Sequence, residues 1–311
     1  MSRTAFVIDI GSSKTTCLAA VKEDEGLRVV SAAAVATRGV HRGRIKDISL
    51  VADSVRVALS KVEEIAGAPT SDVVVGVTGL AIRSEQSRGV RMIYPAGKLV
   101  LQEDLLYANE HSRQFRYQEG FRLLETFPCE YRLDGLPVGL NPIGKSASRL
   151  EVVTHIVSID VEEADRLAQI ASIVGFKLGE LVPSPLASGL GLVRPEEAEA
   201  ECLVIDFGYG TTDAVVFAHG SCVRIASVDV GANHVTKDIA ELIKVTQEDA
   251  EALKTSSGHT DPSHIRQDEV VHVTQIGGDQ PRPFPRKVLS EIIETSALLR
   301  RRSVTSTSMA S

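Results

Sequence analysis

The chain has 311 residues and a formal net charge of −7, because 34 Lys and Arg residues stand against 41 Asp and Glu residues. This acidic balance argues against a general nucleic-acid binder, and an aromatic content of 4% without any Trp argues against platforms that stack single strands. The 4 Cys residues form no C-x-x-C pair, which argues against a disulfide or zinc scaffold. The sequence has no signal peptide and no apolar run of membrane-spanning length, so it predicts a cytoplasmic protein.

The first 81 residues predict a strand-rich layer with one helix. Strands at 4–10 and 15–21 flank GSSK and predict a β-hairpin. Apolar residues at three- and four-residue steps predict a helix over 49–65, and Gly67 stands where that helix should end. The continuous apolar run DVVVGVTG at 72–79 predicts a buried strand.

The pattern of predicted elements changes over residues 82–160, and we expect these residues to form an inserted subdomain. LQEDLLYANEHSRQF predicts a helix, RLLETFPCEYRLDG predicts a strand broken at Pro128, and RLEVVTHIVSI predicts an unbroken strand. The stretch DVEEADRLAQIASIV then predicts a helix that begins with a capping box of Asp160 and Glu163 and ends at Gly175.

The second half repeats the opening pattern. ECLVIDFGYG predicts a strand, TTDAVVFAHG its hairpin partner and SCVRIASVDVG a third strand, followed by helices at 235–244 and 247–254 and a helix that begins at KVLSEIIE. The last residues are small, polar and patternless, so they predict disorder.

We therefore expect these segments: a first lobe at 1–81, the inserted subdomain at 82–160, a return to the first lobe at 161–198, a second lobe at 199–234, its smaller subdomain at 235–294 and a disordered tail at 295–311.

One motif occurs twice, as VIDIGSSKTT at 7–16 and VIDFGYGTTD at 204–213. A lone Asp-x-Gly after an apolar run is most often a hairpin turn. Two copies with the same Asp, Gly and hydroxyl offsets favour a second interpretation, in which backbone N–H groups of each turn bind phosphate oxygens. Two such loops on facing lobes would clamp a nucleotide polyphosphate. The loop residues are Gly11, Ser12, Ser13, Lys14, Gly208, Gly210, Thr211 and Thr212.

The aspartates of the two motifs predict a magnesium site. Mg²⁺ keeps several waters and binds through one or two carboxylates together with substrate phosphates. Asp9 and Asp206, one from each copy, are therefore expected to hold a hydrated Mg²⁺ through its waters, and Lys14 to supply a positive charge to the same anion.

This paired signature resembles the actin, Hsp70 and sugar-kinase superfamily, and further stretches resemble the FtsA family of bacterial cell-division proteins. The resemblance covers about residues 4–293. It rests on VHRGRIKDISLVADSVRVAL, VVVGVTGLAIRSEQSRGV, LLETFPCEYRLDGLPVGLNPIGKSASRLEVVTHIVS, VDVGANHVTKDIA and DAEALK. It implies an actin-like, ribonuclease H-like α/β fold that is duplicated into two facing lobes and carries an inserted α+β subdomain.

The resemblance also implies roles. Family members bind ATP between the lobes, couple the division-ring protein FtsZ to the cytoplasmic face of the inner membrane, recruit other division proteins and form actin-like filaments. Matching positions add Asp213, Gly231, Glu251 and Lys254 to the nucleotide site. Arg286 and Lys287 are expected to meet the C-terminal peptide of FtsZ, with a solvated helix face as the equal alternative. Residues 82–160 are expected to contact other division proteins or a second copy.

Three departures from the family pattern limit these expectations. Tyr209 stands in a loop that is usually rich in Gly. Ser184 stands where many superfamily ATPases carry an acid, so at most weak ATPase activity is expected and no catalytic residue is assigned. The sequence after about Glu294 resembles no family element, so we expect a truncation or a shifted frame there, with loss of the membrane-anchoring amphipathic helix.

Two other classes of function remain open from the sequence. An Hsp70-like or kinase-type ATPase would need a catalytic carboxylate and, for a kinase, a sugar pocket, and neither is evident. A pilus-assembly actin-like protein would share both phosphate loops.

Overall fold

The computed structural model describes residues 4–24, 26–68, 70, 72–114 and 117–309, with side chains placed up to residue 299. The chain divides into two compact units. The first contains the residues through Asp206 together with Asp213–Ser227, and the second contains Phe207–Thr212 together with the chain from Val228 onwards.

The described residues form strands and helices in both units, including two helices, at 184–192 and 195–199, that the sequence pattern did not predict. The strands are β1 (Thr4–Ile10), β2 (Lys14–Glu23), β3 (Gly26–Ala36), β4 (Val40–His41), β5 (Arg44–Ile45), β6 (Asp72–Val77), β7 (Ile82–Met92), β8 (Phe121–Leu133), β9 (Leu136–Gly139), β10 (Arg149–Asp160), β11 (Lys177–Pro183), β12 (Cys202–Phe207), β13 (Thr212–Ala218), β14 (Ser221–Val228), β15 (Val270–Val273) and β16 (Arg282–Pro285). The helices are α1 (Ile48–Ala66), α2 (Gln102–Arg113), α3 (Val161–Val174), α4 (Ser184–Leu192), α5 (Pro195–Glu199), α6 (Ala232–Ile243), α7 (Gln247–Ser257) and α8 (Arg286–Met309).

The central sheet of the first unit has the strand order β11-β6-β1-β2-β3. Strand β1 lies in the middle, antiparallel to β2 and parallel to β6. Its residues Phe6 and Ile8 are fully buried in a hydrophobic core to which α1 contributes Val55 and Leu59 and α3 contributes Leu167. Burial of a side chain of this size stabilises a fold by roughly 2 kcal/mol, so this layer anchors the Asp-x-Gly turn that follows β1.

Helices α1 and α3, which cover this sheet, each begin at an aspartate that caps the helix and end at a glycine in the left-handed conformation. Asp47 caps the start of α1 by accepting a hydrogen bond from Leu50 N at 3.0 Å, and Gly67 ends it in the left-handed conformation. At α3 the structure corrects a prediction. Asp160 caps the helix through Glu162 N, but Glu163 does not complete a capping box, because its buried carboxylate accepts from Ile45 N at 2.8 Å.

The inserted subdomain is a four-stranded sheet of order β7-β10-β8-β9 with α2 packed against it. The predicted break at Pro128 is wrong, since β8 runs through it from Phe121 to Leu133. Between Val153 and Thr154 of β10 the paired residue of β8 moves from Glu130 to Pro128, so the register skips Cys129 and a bulge lies directly beside Pro128. Proline lacks a backbone donor, and a bulge is where a sheet tolerates that loss.

The sheet that contains the second motif has the order β12-β13-β14. One side of it packs on a core formed by Val157, Leu186, Val215, Phe217 and Ile225. This three-stranded hairpin arrangement matches β1-β2-β3 element for element, as the repeated motif predicts.

Helices α6, α7 and α8 of the second unit enclose their own core with the β15–β16 hairpin. The sequence predicted disorder from residue 295 onwards, but α8 continues to Met309. The residues after Glu294 include good helix formers and no Gly or Pro. Buried Ser296 also donates a hydrogen bond to Asp238 and so joins this part of α8 to α6. Residues 310 and 311 of the expected tail lie outside the described residues.

Candidate phosphate-binding site

The two Asp-x-Gly turns have the same backbone geometry. Gly11 N donates to Lys14 O at 3.0 Å in the first turn, and Gly208 N donates to Thr211 O at 2.9 Å in the second. In each turn a Cβ on the glycine would lie 2.9 Å from the accepting carbonyl oxygen, so the turn requires Gly. The repeated sequence therefore encodes a repeated turn.

The first turn is anchored by its neighbours. Ser12 Oγ accepts from Gly43 N at 2.9 Å, and the buried Thr15 hydroxyl lies 2.8 Å from the hydroxyl of Thr37. Ser13 and Lys14 are exposed at the tip. The tip thus offers a positive charge and a hydroxyl to solvent while the base is held in place.

The second turn is held by the start of α6. Ala232 N donates to Gly208 O at 3.0 Å, and Asn233 N donates to Tyr209 O at 2.9 Å. A Cβ on Gly231 would lie 2.5 Å from Tyr209 O, so Gly231 permits this close approach. The first N–H groups of α6 are therefore used by the turn itself rather than offered to a ligand.

The hydroxyl groups of the second turn are more enclosed than the sequence suggested. Thr212 Oγ1 donates to Val230 O at 2.6 Å, and the matching Thr15 likewise bonds a residue that follows the third strand of its sheet, Thr37. Thr211, Thr212 and Asp213 are all buried, and Gly210 is buried with them. These buried residues form the interior of the turn.

Helix α4 brings the two predicted magnesium ligands to one surface of the first unit. Ser184 Oγ donates to Asp9 Oδ1 at 2.9 Å, and Ser188 Oγ donates to Asp206 Oδ2 at 3.1 Å. Residues four apart on a helix lie on one face with about 5–6 Å between their Cβ atoms. Both aspartates are exposed at the ends of their strands, so their remaining oxygen positions face solvent. Ser188 was not expected from the sequence, although its four-residue spacing from Ser184 in SPLAS was the available signal.

Gly76 of β6 makes room for this contact. A Cβ at this position would lie 2.7 Å from both Asp9 Oδ1 and Ser184 Oγ. Strand β6 pairs with β1 so that Gly76 stands opposite Asp9. The absence of a side chain at Gly76 therefore determines where the Asp9 carboxylate sits.

Glu251 and Lys254 form a compact polar group on α7 with Thr236 of α6. Lys254 Nζ donates to Glu251 Oε2 at 2.6 Å and to Thr236 Oγ1 at 2.9 Å. The same ammonium group lies 5.7 Å from the ring centre of Tyr209. Burial, with the nearby Glu251 carboxylate, raises the pKa of Tyr209, so this phenol is neutral at physiological pH. Tyr209 thus turns toward α7 instead of acting as a small loop residue.

Among residues 4–299, apart from those not described, no group of three or more His, Cys, Asp or Glu side chains could hold a metal ion. A closed protein-only metal centre is absent from this part of the chain. The donor set at α4, two carboxylates facing solvent, fits a magnesium ion that is held through its waters, because Mg²⁺ leans on few protein ligands.

The two residues expected to meet a partner peptide differ in their surroundings. Arg286 forms an ion pair with Glu269 at 2.6 Å and donates to Ser257 O at 2.9 Å. Lys287 is half-buried at the start of α8. Arg286 is therefore partly neutralised within the second unit.

Solved structures that are similar to this chain define its fold class. Among solved structures, the PilM-PilN type IV pilus biogenesis complex matches with a TM-score of 0.62 and 16% identity, covering 82% of this chain and 70% of that chain. An MreB protein of Spiroplasma citri bound to AMPPNP matches with a TM-score of 0.56 and 14% identity, covering 98% of this chain and 78% of that chain. The fold is actin-like, as the resemblance of the repeated motif implied.

The family follows from sequence. The family model for cell division protein FtsA matches residues 203–310, and the model for the SHS2 domain inserted in FtsA matches residues 79–158. Cell division protein FtsA of Borreliella burgdorferi is 32% identical over 298 residues, which cover 95% of this chain and 72% of that protein. Its counterpart in Escherichia coli K12 is 28% identical, covering 92% of this chain and 68% of that protein. The chain belongs to the FtsA family of actin-like cell-division proteins.

In the part of the chain that the structure describes, no helix is both long and apolar enough to cross a membrane.

Proposed function

We propose that this chain binds ATP with Mg²⁺ and uses the nucleotide as a conformational ligand in cell division. The observation that carries the proposal is the contact of both motif aspartates with one face of α4, through Ser184 and Ser188. Two equivalent glycine turns follow those aspartates, and such turns are a common way to cradle phosphate oxygens. The likeness in fold to an MreB protein bound to AMPPNP is consistent with a nucleotide ligand.

The proposed division of labour follows from the chemistry of each group. Asp9 and Asp206 bind waters of a hydrated Mg²⁺, and Lys14 neutralises charge on the polyphosphate. Glu251 and Lys254 meet the ribose and adenine end of the ligand, where their mutual ion pair keeps them in place. Ser184 donates a hydrogen bond but cannot act as a general base at neutral pH, so slow turnover is expected.

We further propose that the chain works as an adaptor between the FtsZ ring and the cytoplasmic face of the membrane, and that it recruits other division proteins. We assign contacts with division proteins or with a second copy to the inserted subdomain, where the model for the SHS2 domain inserted in FtsA matches. Arg286 and Lys287 on α8 provide cationic groups for an acidic and apolar FtsZ peptide.

The nucleotide proposal is tested by titrating Mg·ATP into the chain in a calorimeter. Asp9→Asn and Asp206→Asn retain a hydrogen-bond acceptor for Ser184 or Ser188 but remove the charge. Each is expected to weaken Mg·ATP binding by about tenfold or more, which corresponds to about 1.4 kcal/mol. Asp53→Asn is the matched control, because Asp53 is an exposed aspartate of α1 paired with Arg56 outside the site. Equal affinity in all four proteins would refute the site.

The adaptor proposal is tested by co-sedimentation with FtsZ polymers. The wild-type chain should pellet with FtsZ, and Lys287→Glu should reduce the pelleted fraction several-fold. Lys61→Glu, at an exposed position of α1, should pellet like wild type. Loss of pelleting in both variants would point to a general charge effect and count against the assignment of α8.

A further inference from the structure

A cavity of 740 Å³ lies in the first unit, where β8 of the inserted subdomain, the helices α4 and α5, and the β13–β14 hairpin meet. Its walls include the rings of Phe127 and Phe217 and the side chains of Leu186 and Leu190. Small-molecule ligands commonly occupy cavities of about 300–1,000 Å³ with mainly apolar walls. None of the lining residues belongs to the proposed nucleotide site, so a ligand of this cavity would be independent of the nucleotide.

The cavity has a buried floor and an open mouth. Leu186, Phe217 and Cys222 are buried, whereas Leu190 is 64% exposed. The hydroxyl group on the wall already has a partner, because Ser221 Oγ donates to Pro128 O at 2.8 Å. The interior therefore favours an apolar group over a polar one.

Two carboxylates give the mouth a negative charge. Glu196 and Glu199 of α5 line the cavity and are exposed, and no Lys or Arg stands among the described residues that line it. Glu197, between them, is neutralised by Arg194 at 2.9 Å. Glu196 and Glu199 form no ion pair with any residue that the structure describes. The mouth thus offers an uncompensated charge of two carboxylates beside an apolar interior.

The turn between β13 and β14 holds one of these carboxylates at the cavity. Gly220 N donates to Ala198 O at 3.2 Å, which ties the turn to α5. A Cβ on Gly220 would lie 2.7 Å from Glu199 Oε1, so the missing side chain leaves room for that carboxylate. Gly220 also has a φ of +76°, a conformation that side chains other than glycine rarely adopt.

We propose that this cavity binds a small amphipathic cation, an apolar body with an aromatic ring that carries an ammonium group. The body packs between Phe127, Phe217 and Leu186. The ammonium group lies at the mouth, beside the carboxylates of Glu196 and Glu199. An anion of the same shape is repelled by those carboxylates, and a neutral molecule leaves them without a partner, so the cavity discriminates by charge.

The test titrates the full chain with two probes that share an apolar body and differ in charge, phenylbutylamine and phenylbutyrate. Calorimetry should show that the amine binds about tenfold more tightly than the acid, and added salt should reduce this difference because the mouth is exposed. Methyl NMR spectra of the wild-type chain locate the site. The amine should shift the methyl signals of Leu186, Leu190 and Val193, which line the cavity.

Substitutions at the mouth test the origin of the discrimination. Glu196→Gln and Glu199→Gln keep the side-chain shape and remove the charge, so each should weaken amine binding about threefold and the double variant about tenfold. Glu64→Gln is the matched control, because Glu64 is exposed on α1 outside the cavity.

Substitutions on α4 test the apolar wall. Leu190→Ala should weaken the binding of both probes, since it removes apolar surface from the wall. Leu192→Ala is the matched control, because Leu192 is 71% exposed on the same helix and does not line the cavity.

Each outcome decides the proposal. Tighter binding of the amine, with methyl shifts at the cavity and a loss in the double variant but not in the controls, supports it. No binding, equal binding of amine and acid, or methyl shifts confined to other residues overturns it. Dimerisation of the chain that Leu190→Ala abolishes would also overturn it and assign the cavity to a second copy. Because the two probes are compared on the wild-type chain, the result does not depend on how well the variants fold.

Discussion

At the scale of single residues, buried His155 joins the inserted sheet to β14. Its Nε2 lies 2.6 Å from Ser84 Oγ, and its Nδ1 lies 3.2 Å from Cys222 O. Ser84 Oγ in turn accepts from Ile225 N at 3.1 Å. This network assigns Nδ1–H as donor to the carbonyl and Nε2 as acceptor from the Ser84 hydroxyl, so the imidazole is neutral.

The chain should therefore lose stability in mild acid through His155. Burial lowers the pKa of His155 from 6.5 to about 4, against the opposing hydrogen bond to Cys222 O and with a small contribution from Arg224. The unfolded chain binds this proton more tightly than the folded chain does. The full contribution of neutral His155 to stability is therefore present above the pKa that this group has in the unfolded chain. The free energy of unfolding falls as the pH drops from 6.5 toward 4, by up to about 3 kcal/mol.

Urea unfolding at about pH 7.5 and about pH 4.5 measures this loss. His155→Gln keeps a polar side chain that does not titrate, so the difference between the two pH values should shrink by most of that amount. His264→Gln is the control, because His264 is exposed on the second unit. An unchanged pH dependence in His155→Gln would contradict the assignment.

At the scale of elements, β1, β6 and α4 together position the site. Turn chemistry places Asp9 at the end of β1, but its carboxylate is directed by a serine of α4 and by the missing side chain of Gly76 on β6. None of these three elements would hold the carboxylate alone.

Gly76→Ala should weaken Mg·ATP binding more than it weakens the fold. The new Cβ would lie 2.7 Å from Asp9 Oδ1 and Ser184 Oγ, two side-chain atoms that can move aside, so the expected loss of stability is about 1 kcal/mol. Displacement of Asp9 should raise the dissociation constant about tenfold. Calorimetric titration and thermal unfolding measure the two effects.

Gly191→Ala on α4 is the matched control. A Cβ on Gly191 would meet no atom within 4 Å, and alanine favours a helix over glycine by up to about 1 kcal/mol. This variant should bind Mg·ATP like wild type. Weaker binding in Gly191→Ala, or unchanged binding in Gly76→Ala, would exclude this role of Gly76.

At the scale of the whole molecule, the chain has separate hydrophobic cores in its two units. Phe6, Ile8 and their neighbours form one core in the first unit, whereas Ile239, Leu289 and Ile293 form the core of the second. Proteins with several cores commonly depart from two-state unfolding. Differential scanning calorimetry should accordingly resolve two transitions.

Core substitutions assign the transitions. Leu289→Ala, at a fully buried position of the second unit, should lower the free energy of unfolding for one transition by about 3 kcal/mol. The other transition should stay unchanged. Leu59→Ala, buried on α1, should have the converse effect. A single transition that both substitutions lower equally would indicate one cooperative unit.

Much of the fold could be predicted from local sequence. The hairpin turns, α1 with its terminal Gly67, and α3 with Gly175 depend on backbone preferences and apolar spacing within a few residues, and the structure confirms them. The repeated motif also predicted two equivalent turns, because a turn that requires Asp and Gly at fixed offsets can be recognised without any distant contact; the actin-like class came from the resemblance of this motif to a known superfamily.

Only the tertiary structure decided which partner each polar side chain takes. Glu163 accepts a hydrogen bond from Ile45 N rather than from its own helix end, Pro128 lies beside a bulge, and Ser184 and Ser188 orient the two aspartates. These choices depend on residues far apart in the chain, whose proximity no local pattern encodes. For the same reason, the sequence presents Ile8 and Ile205 as equivalent, and only packing distinguishes the buried one from the exposed one.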